Sequence, residues 1–189
     1  FIFKKDLFPL PFKYLAKYNN FIIETKKIKR DSDYTKKINS KNIKEGEIKN
    51  LYNFYIKDIN NHQLYNKFHY EEFKHYLNNE NISFYCNKGN NKIEYLVGIY
   101  DSKINYNNTK TSEFLFVIIN DKNKYNQIIN EILSKESYKY NYSLINDTSN
   151  NEIYIEQNNL EKISNCYLHF YNYYYDKIIK NSDIFFNIP

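Results

Sequence analysis

The sequence predicts an α+β fold in which helices flank one central sheet. Three observations carry this. Two amphipathic helical segments are followed by three successive apolar segments with strand character, and helix and strand patterns then alternate to the end of the chain. The 189 residues suffice for a single domain, residues 1–189, with a sizeable core. Aromatic residues make up 19% of the chain, which excludes a disordered polypeptide although Asn and Lys are abundant.

Residues 1–29 open with FIFKKDLFPLPFKYL, where Pro9 and Pro11 break any helix. FIIETKKIKR alternates weakly and suits a strand, and Asp31 to Asn42 is polar and reads as a loop. From Glu45 to Asp58 the residues Ile48, Leu51, Tyr52, Tyr55 and Ile56 fall on one helical stripe. The stretch Leu64 to Cys86 then organises the chain. It holds an extended lead, a helix YEEFKHYL with Phe73, Tyr76 and Leu77 on one face, a polar turn, and a strand start ISFY. Glu71 and Glu72 lie in the first turn of that helix, where negative charge suits the partial positive end. A hairpin follows: ISFYCNK, a turn at Gly89-Asn90-Asn91, and KIEYLVGIYDS. SEFLFVIIN (Ser112 to Asn120) is nearly continuous in apolar residues, as a strand buried on both faces would be. Asp121 to Ser137 is helical, with Tyr125, Ile128, Ile129, Ile132 and Leu133 in register. YKYNYSLIN suits a strand, NEIYIEQNNLEKI a helix, and Ser164 to Tyr175 a long aromatic strand.

Several functions are disfavoured by the same reading. Cys86 and Cys166 lie far apart with no paired-ligand spacing, so no metal site is expected, and both read as buried free thiols. The basic run from Lys26 to Arg30 reads as a solvated strand edge and loop, so no nucleic-acid partner is expected. No apolar run approaches a membrane span and no signal-peptide pattern occurs. The expectation is a soluble, cytoplasmic protein that continues upstream of Phe1. His75 reads as a helix-face packing residue and His169 as a sheet-face histidine; neither has a nucleophile at a recognisable spacing.

The segment LY..F..EEF.HYL..EN, with Phe68, Glu71, Glu72, His75, Tyr76, Glu80 and Asn81, resembles the start of the C-terminal lobe of glycylpeptide N-tetradecanoyltransferase, the protein N-myristoyltransferase family. The flanks extend the likeness. FKYL (Phe12 to Leu15), IEYLVGIY (Ile93 to Tyr100), SEFLFVI (Ser112 to Ile118), YNQIINEIL and NCYLHFYNY (Asn165 to Tyr173) stand where that family has related segments. The resemblance implies an acetyltransferase-like fold whose central sheet is mixed but mainly antiparallel, with residues 1–11 a remnant of the connection between lobes. It also implies transfer of a myristoyl group from myristoyl-CoA to the N-terminal glycine of a protein. In that arrangement an upstream lobe binds the acyl-CoA, this chain supplies the peptide groove, and no cofactor is bound by this lobe alone. The absence of a Gly-rich phosphate loop, with only Gly46, Gly89 and Gly98 present, fits a lobe whose acyl-CoA site lies elsewhere.

The same resemblance implies the site residues. The family's general base is its terminal carboxylate, and the candidate here is Pro189; a carboxylate in a partly desolvated groove has a raised pKa suited to taking a proton from the glycine ammonium. Groove positions fall on Phe1 and Phe3, where the family has Tyr and His, and on Phe114 and Phe116. The end of the strand before them carries Asp101 or Ser102. The family's Gly-Asp-Gly loop is replaced by Lys162, Ile163 and Ser164, with Ser164 the candidate peptide contact. The alternative is a non-catalytic peptide-binding or interaction domain on the same fold.

Overall fold

The computed structural model describes residues 16–29, 33–38, 43–62, 64–65, 67–87, 92–148, 151–168, 180 and 183–185. Their elements are, in order, β1 (Ala16–Glu24), β2 (Thr35–Lys37), α1 (Glu45–Ile59), β3 (Leu64–Tyr65), α2 (Tyr70–Leu77), β4 (Ile82–Asn87), β5 (Tyr95–Tyr106), β6 (Thr109–Ile119), α3 (Tyr125–Glu136), β7 (Tyr142–Asn146), α4 (Asn151–Gln157), β8 (Glu161–Leu168) and β9 (Ile184–Phe185). Among the described residues one sheet runs β2-β4-β5-β6-β7-β1-β8. Every neighbouring pair in it is antiparallel except β6 and β7, which are parallel and joined through α3. A separate parallel pair, β3 with β9, ties Leu64–Tyr65 to Ile184–Phe185. The α+β class and the mixed, mainly antiparallel sheet expected from sequence are therefore present.

Each face of the sheet has its own core. On one side Ile128, Ile129, Ile132 and Leu133 of α3 and Tyr154 of α4 pack on Val97, Val117 and Ile145. On the other, Ile48, Leu51, Tyr55 and Ile59 of α1 and Phe73 and Leu77 of α2 pack on Phe84, Leu96, Leu115 and Phe116. The buried stripe of α1 is rotated slightly from the expected one: Ile59 joins it, while Tyr52 and Ile56 are only half-buried. Both α1 and α2 begin without a Ser, Thr or Asp cap. Their third helical residue substitutes, Glu47 accepting from the Lys44 N–H at 2.8 Å and Glu72 from the His69 N–H at 2.7 Å. Glu72 thus does more than lend charge to the first turn.

Two departures from regular pairing shape β5 and β6. The strands run on past Ser102 to a two-residue turn, Asn107-Asn108, with φ of 49° and 58°, the left-handed pair of a type I′ hairpin. Within the ladder Gly98 faces Phe116 and Ile99 faces Phe114, so Leu115 is an extra residue, a β-bulge. Phe114 and Phe116 would share a face in a regular strand. The bulge sends Phe114 to the α3 side and Phe116 to the α1–α2 side.

Other expectations are corrected. The polar stretch 31–42 contains β2, because the buried carboxylate of Glu131 on α3 accepts from the Tyr34 N–H (2.9 Å), the Thr35 N–H (2.7 Å), the Thr35 hydroxyl (2.7 Å) and Lys135 (2.8 Å). The strand written as FIIETKKIKR begins earlier, at Ala16, and stops at Glu24. NEIYIEQNNLEKI is helical only to Gln157. Asn159, at φ 48°, closes α4 in a Schellman motif, with the Leu160 N–H bonding the Ile155 carbonyl (3.2 Å) and the Asn159 N–H that of Glu156 (3.3 Å), and Glu161 onward is β8. Cys86 and Cys166 are half-buried rather than buried, since each lies on a strand at or next to a sheet edge. His75 is exposed beside Tyr76, because the buried face of α2 is formed by Phe73 and Leu77. The turn Gly89-Asn90-Asn91, His169 and the aromatic stretch beyond Leu168 lie outside the described residues. Among the described residues no helix is long and apolar enough to cross a membrane.

Candidate functional site

The parallel pair β6–β7 holds together over only three rungs, Thr111↔Tyr142, Ser112↔Ser143 and Glu113↔Leu144. A hydrogen bond between the Ser112 and Ser143 hydroxyls, 3.0 Å long and buried, fastens the middle rung. Beyond Glu113, β6 keeps its ladder with β5 as far as Ile119↔Tyr95, and β7 keeps its ladder with β1 as far as Asn146↔Asn20, but the two no longer pair with each other. The bulge at Leu115 lies immediately past the last shared rung, where the added twist of a bulge turns β6 away from β7. The strands splay, and among the described residues the edge of β6 that faces β7 is left without a ladder partner from Phe114 onward.

A small, solvent-open cleft lies at the splay. Phe114 to Val117 of β6 line it, together with Asn146, Thr148 and Asn151 from β7 and the start of α4, and Phe185 of β9. The apolar part of the lining is rigid. Phe185 is held by the β3–β9 pair and stacks on Phe116, ring centroids 6.2 Å apart, and Phe116 packs against Tyr55 at 5.4 Å. The polar part is fixed by hydrogen bonds. The Asn146 side-chain carbonyl accepts from the Thr148 N–H (3.3 Å) and hydroxyl and from the Asn151 amide (3.5 Å), and the Asn151 side-chain carbonyl accepts from the Tyr125 hydroxyl. None of the lining side chains is charged.

Charge appears on the last shared rung, outside the residues that line the cleft. Glu113 sits on the last shared rung, opposite Tyr100 on β5, and the Tyr100 hydroxyl donates to its Oε2 at 2.6 Å. Burial pushes the Glu113 carboxyl above the usual carboxylate range, partly offset by that hydrogen bond. Burial, and then the adjacent carboxylate, pushes the Tyr100 hydroxyl upward, so it stays a proton donor near neutral pH. Tyr18 of β1, raised by burial and by a hydrogen bond with the Cys166 thiol of β8, completes the group and feels the Glu113 charge. Asp147, next to the cleft, is spoken for: the Asn19 N–H donates to its Oδ1 (2.8 Å) and the Asn19 amide to its Oδ2.

The residues singled out from sequence are spread along the sheet. Phe114 and Phe116 both line the cleft. Asp101 and Ser102 lie on β5 at a second irregularity, one strand from Glu113. Burial raises the Asp101 carboxyl, but the Lys103 N–H and ammonium outweigh it and hold the group below the usual range. The Ser102 hydroxyl donates to the Thr111 carbonyl at 2.8 Å. Ser164 is exposed on β8, three strands from β6, and accepts from the Asn20 amide at 3.0 Å. Phe1, Phe3 and Pro189 lie outside the described residues. The sequence reading passed over Glu113, Tyr100, Asn146, Thr148, Asn151 and Phe185. A signal did exist for the first of these: Glu113 is the one charge inside the apolar run SEFLFVII.

No protein-family model and no curated protein sequence matches the chain. Solved structures do. Saccharomyces cerevisiae N-myristoyltransferase with bound myristoyl-CoA superposes with a TM-score of 0.68 at 10% identity, over 90% of this chain and 52% of that one. The same enzyme with bound myristoyl-CoA and inhibitors gives 0.66 at 12% identity, over 82% and 49%. A GCN5-related N-acetyltransferase from Anabaena variabilis gives 0.59 at 8% identity, over 82% and 40%. The chain has the acetyltransferase-like fold. These neighbours are acyltransferases, and the likeness to N-myristoyltransferase expected from the sequence is present in the fold. The chain spans about half the length of the myristoyltransferase chains it matches.

Proposed function

We propose that this chain supplies the peptide-binding lobe of an N-myristoyltransferase, with an upstream lobe holding myristoyl-CoA and the cleft between β6 and β7 receiving the N-terminal segment of a glycine-terminated protein. The observation that supports this most is the edge of β6 beyond Glu113, which has no ladder partner among the described residues and lies along a cleft with an uncharged lining. Backbone N–H and C=O groups left open along a strand edge are satisfied by another extended chain bearing amides. A peptide has such groups at every residue, and the apolar rings of Phe114, Phe116 and Phe185 flank small residues such as an N-terminal glycine without excluding them. Phe185 lies four residues before Pro189, a span of about 14 Å at full extension, so a terminal carboxylate on Pro189 is within reach of the cleft. If Pro189 ends the chain in the cell, that carboxylate is the proposed proton acceptor, and Phe1 and Phe3 remain the proposed groove contacts from the other end of the chain.

The test is a mass-spectrometric acylation assay with myristoyl-CoA and glycine-terminated peptides, run beside calorimetric binding of the same peptides. Peptide binding with transfer supports the full reading. Binding without transfer by a protein that carries both lobes favours the second one, a non-catalytic peptide-binding domain; this chain alone tests peptide binding only. No binding of any glycine-terminated peptide rejects both.

A further inference from the structure

We propose that the end of the sheet opposite the cleft is a docking surface for an anionic lipid bilayer. It does not depend on the reading of the cleft. The pairings Glu24↔Tyr142, Thr111↔Tyr142 and Tyr106↔Thr109 bring the end of β1, the start of β7 and the β5–β6 hairpin to one end. The short 3₁₀ turn after β1, Thr25–Lys27, is fastened to the loop after α3: the Thr25 N–H donates to the Asn141 carbonyl (3.0 Å) and the Thr25 hydroxyl to the Tyr140 carbonyl. The Asn141 N–H in turn donates to the Lys110 carbonyl at 3.3 Å. These connections gather Lys26, Lys27, Lys103, Lys110 and Lys139, which the sequence scatters.

Positive charge is in excess there. Lys26, Lys27, Lys103 and Lys110 are exposed and Lys139 is half-buried over the Tyr140 ring at 4.9 Å. Glu24 is taken by Lys27 (2.6 Å) and Asp101 by Lys103 (3.4 Å), while Glu136 is buried and bonded to Lys37 (3.0 Å) and Tyr85. Among the described residues no carboxylate pairs with Lys26, Lys110 or Lys139. The exposed Glu80, before β4, and Glu161, at the start of β8, bound the patch on its two sides. Apolar groups stand among the lysines. Tyr138, beside Lys139, is 80% exposed, and Ile104, beside Lys103, is 51% exposed. At a bilayer surface a Tyr ring lies at the level of the headgroups and an aliphatic side chain reaches the acyl boundary, while lysines meet the lipid phosphates. That mixture favours lipid over nucleic acid, because Ile104 offers no flat face on which a base could stack.

The experiment is co-sedimentation of the chain with vesicles of phosphatidylcholine alone and of phosphatidylcholine with phosphatidylserine, over a range of salt. A lysine near an anionic surface strengthens binding about fivefold, so three uncompensated lysines are expected to give about a hundredfold preference for the phosphatidylserine vesicles at low salt. Screening is expected to remove most of that preference by about 1 M salt. Lys110→Glu with Lys139→Glu is expected to abolish it. Lys57→Glu with Lys122→Glu makes the same change in net charge at exposed positions towards the opposite end of the sheet, and is expected to keep it. Tyr138→Ala is expected to weaken vesicle binding severalfold without changing its salt dependence. Equal loss in both charge-reversal pairs assigns binding to overall charge and overturns the proposal. A wild type that binds neither vesicle, or both alike, overturns it without recourse to any variant. Tight binding of a single-stranded RNA oligonucleotide in place of the vesicles, lost in Lys110→Glu with Lys139→Glu, assigns the patch to nucleic acid and overturns it as well.

Discussion

Glu113 holds its proton more tightly in the folded protein than in the unfolded chain, because burial disfavours the charged form. The stability it contributes is therefore present at low pH and is lost as pH rises from the ordinary carboxylate range through its raised value. Urea unfolding of the wild type and Glu113→Gln across pH 4–8 is expected to show the wild type losing stability relative to the variant over that window. A constant difference would mean that the carboxyl is not perturbed. Phe116 carries a different kind of weight. It is buried against Tyr55, Phe84 and Phe185 and also lines the cleft. Phe116→Ala is expected to cost about 3–5 kcal/mol in a denaturant titration, the range for truncating a core aromatic. A loss under 1 kcal/mol would show that the ring packing of this wall contributes little.

At the scale of elements, the bulge in β6 determines where the cleft can be. Gly98 lies across from it, and a Cβ there would meet the Leu115 Cβ at 3.3 Å. Gly98→Ala is expected to destabilise by about 1–3 kcal/mol through that crowding and to weaken peptide binding by shifting the bulge; unchanged binding would separate the bulge from the site. The clamp between α3 and β2 makes a second prediction. Removing the buried Glu131 carboxylate strands the Tyr34 and Thr35 N–H donors, while Lys135 keeps Asp33 and the Thr35 carbonyl, so Glu131→Ala is expected to cost about 1–3 kcal/mol by the same denaturant measurement. The helices and the long apolar strand were legible in the sequence because burial imposes a period: Ile128, Ile129, Ile132 and Leu133 on α3, and the apolar residues of β6. Short elements were not. β2 is polar and exists because a carboxylate distant in sequence satisfies its backbone, and the end of α4 depends on Asn159 in a left-handed conformation that no hydrophobic pattern reports. The site was legible only in part for a related reason. Phe114 and Phe116 stood out by resemblance, but the bulge that separates their faces and the splay that opens beside them are properties of strand pairing.

At the scale of the molecule, one sheet carries both cores, and its single parallel junction is where they meet. Seven strands form one sheet among the described residues, and the splay between β6 and β7 is lined by residues from both faces and by Phe185 from a distant part of the chain. That concentration of unsatisfied strand edge at one point is why the fold, shared with acyltransferases at 12% identity or less, directs attention to this cleft rather than to the exposed edge at β8. Hydrogen exchange read by mass spectrometry, with and without a glycine-terminated peptide, tests the claim directly. Protection confined to residues 114–119 and 146–148 is the expected result, since an added chain would cover the open edge of β6 and the end of β7. Peptide binding that protects β8, or any region other than the splay, would contradict it.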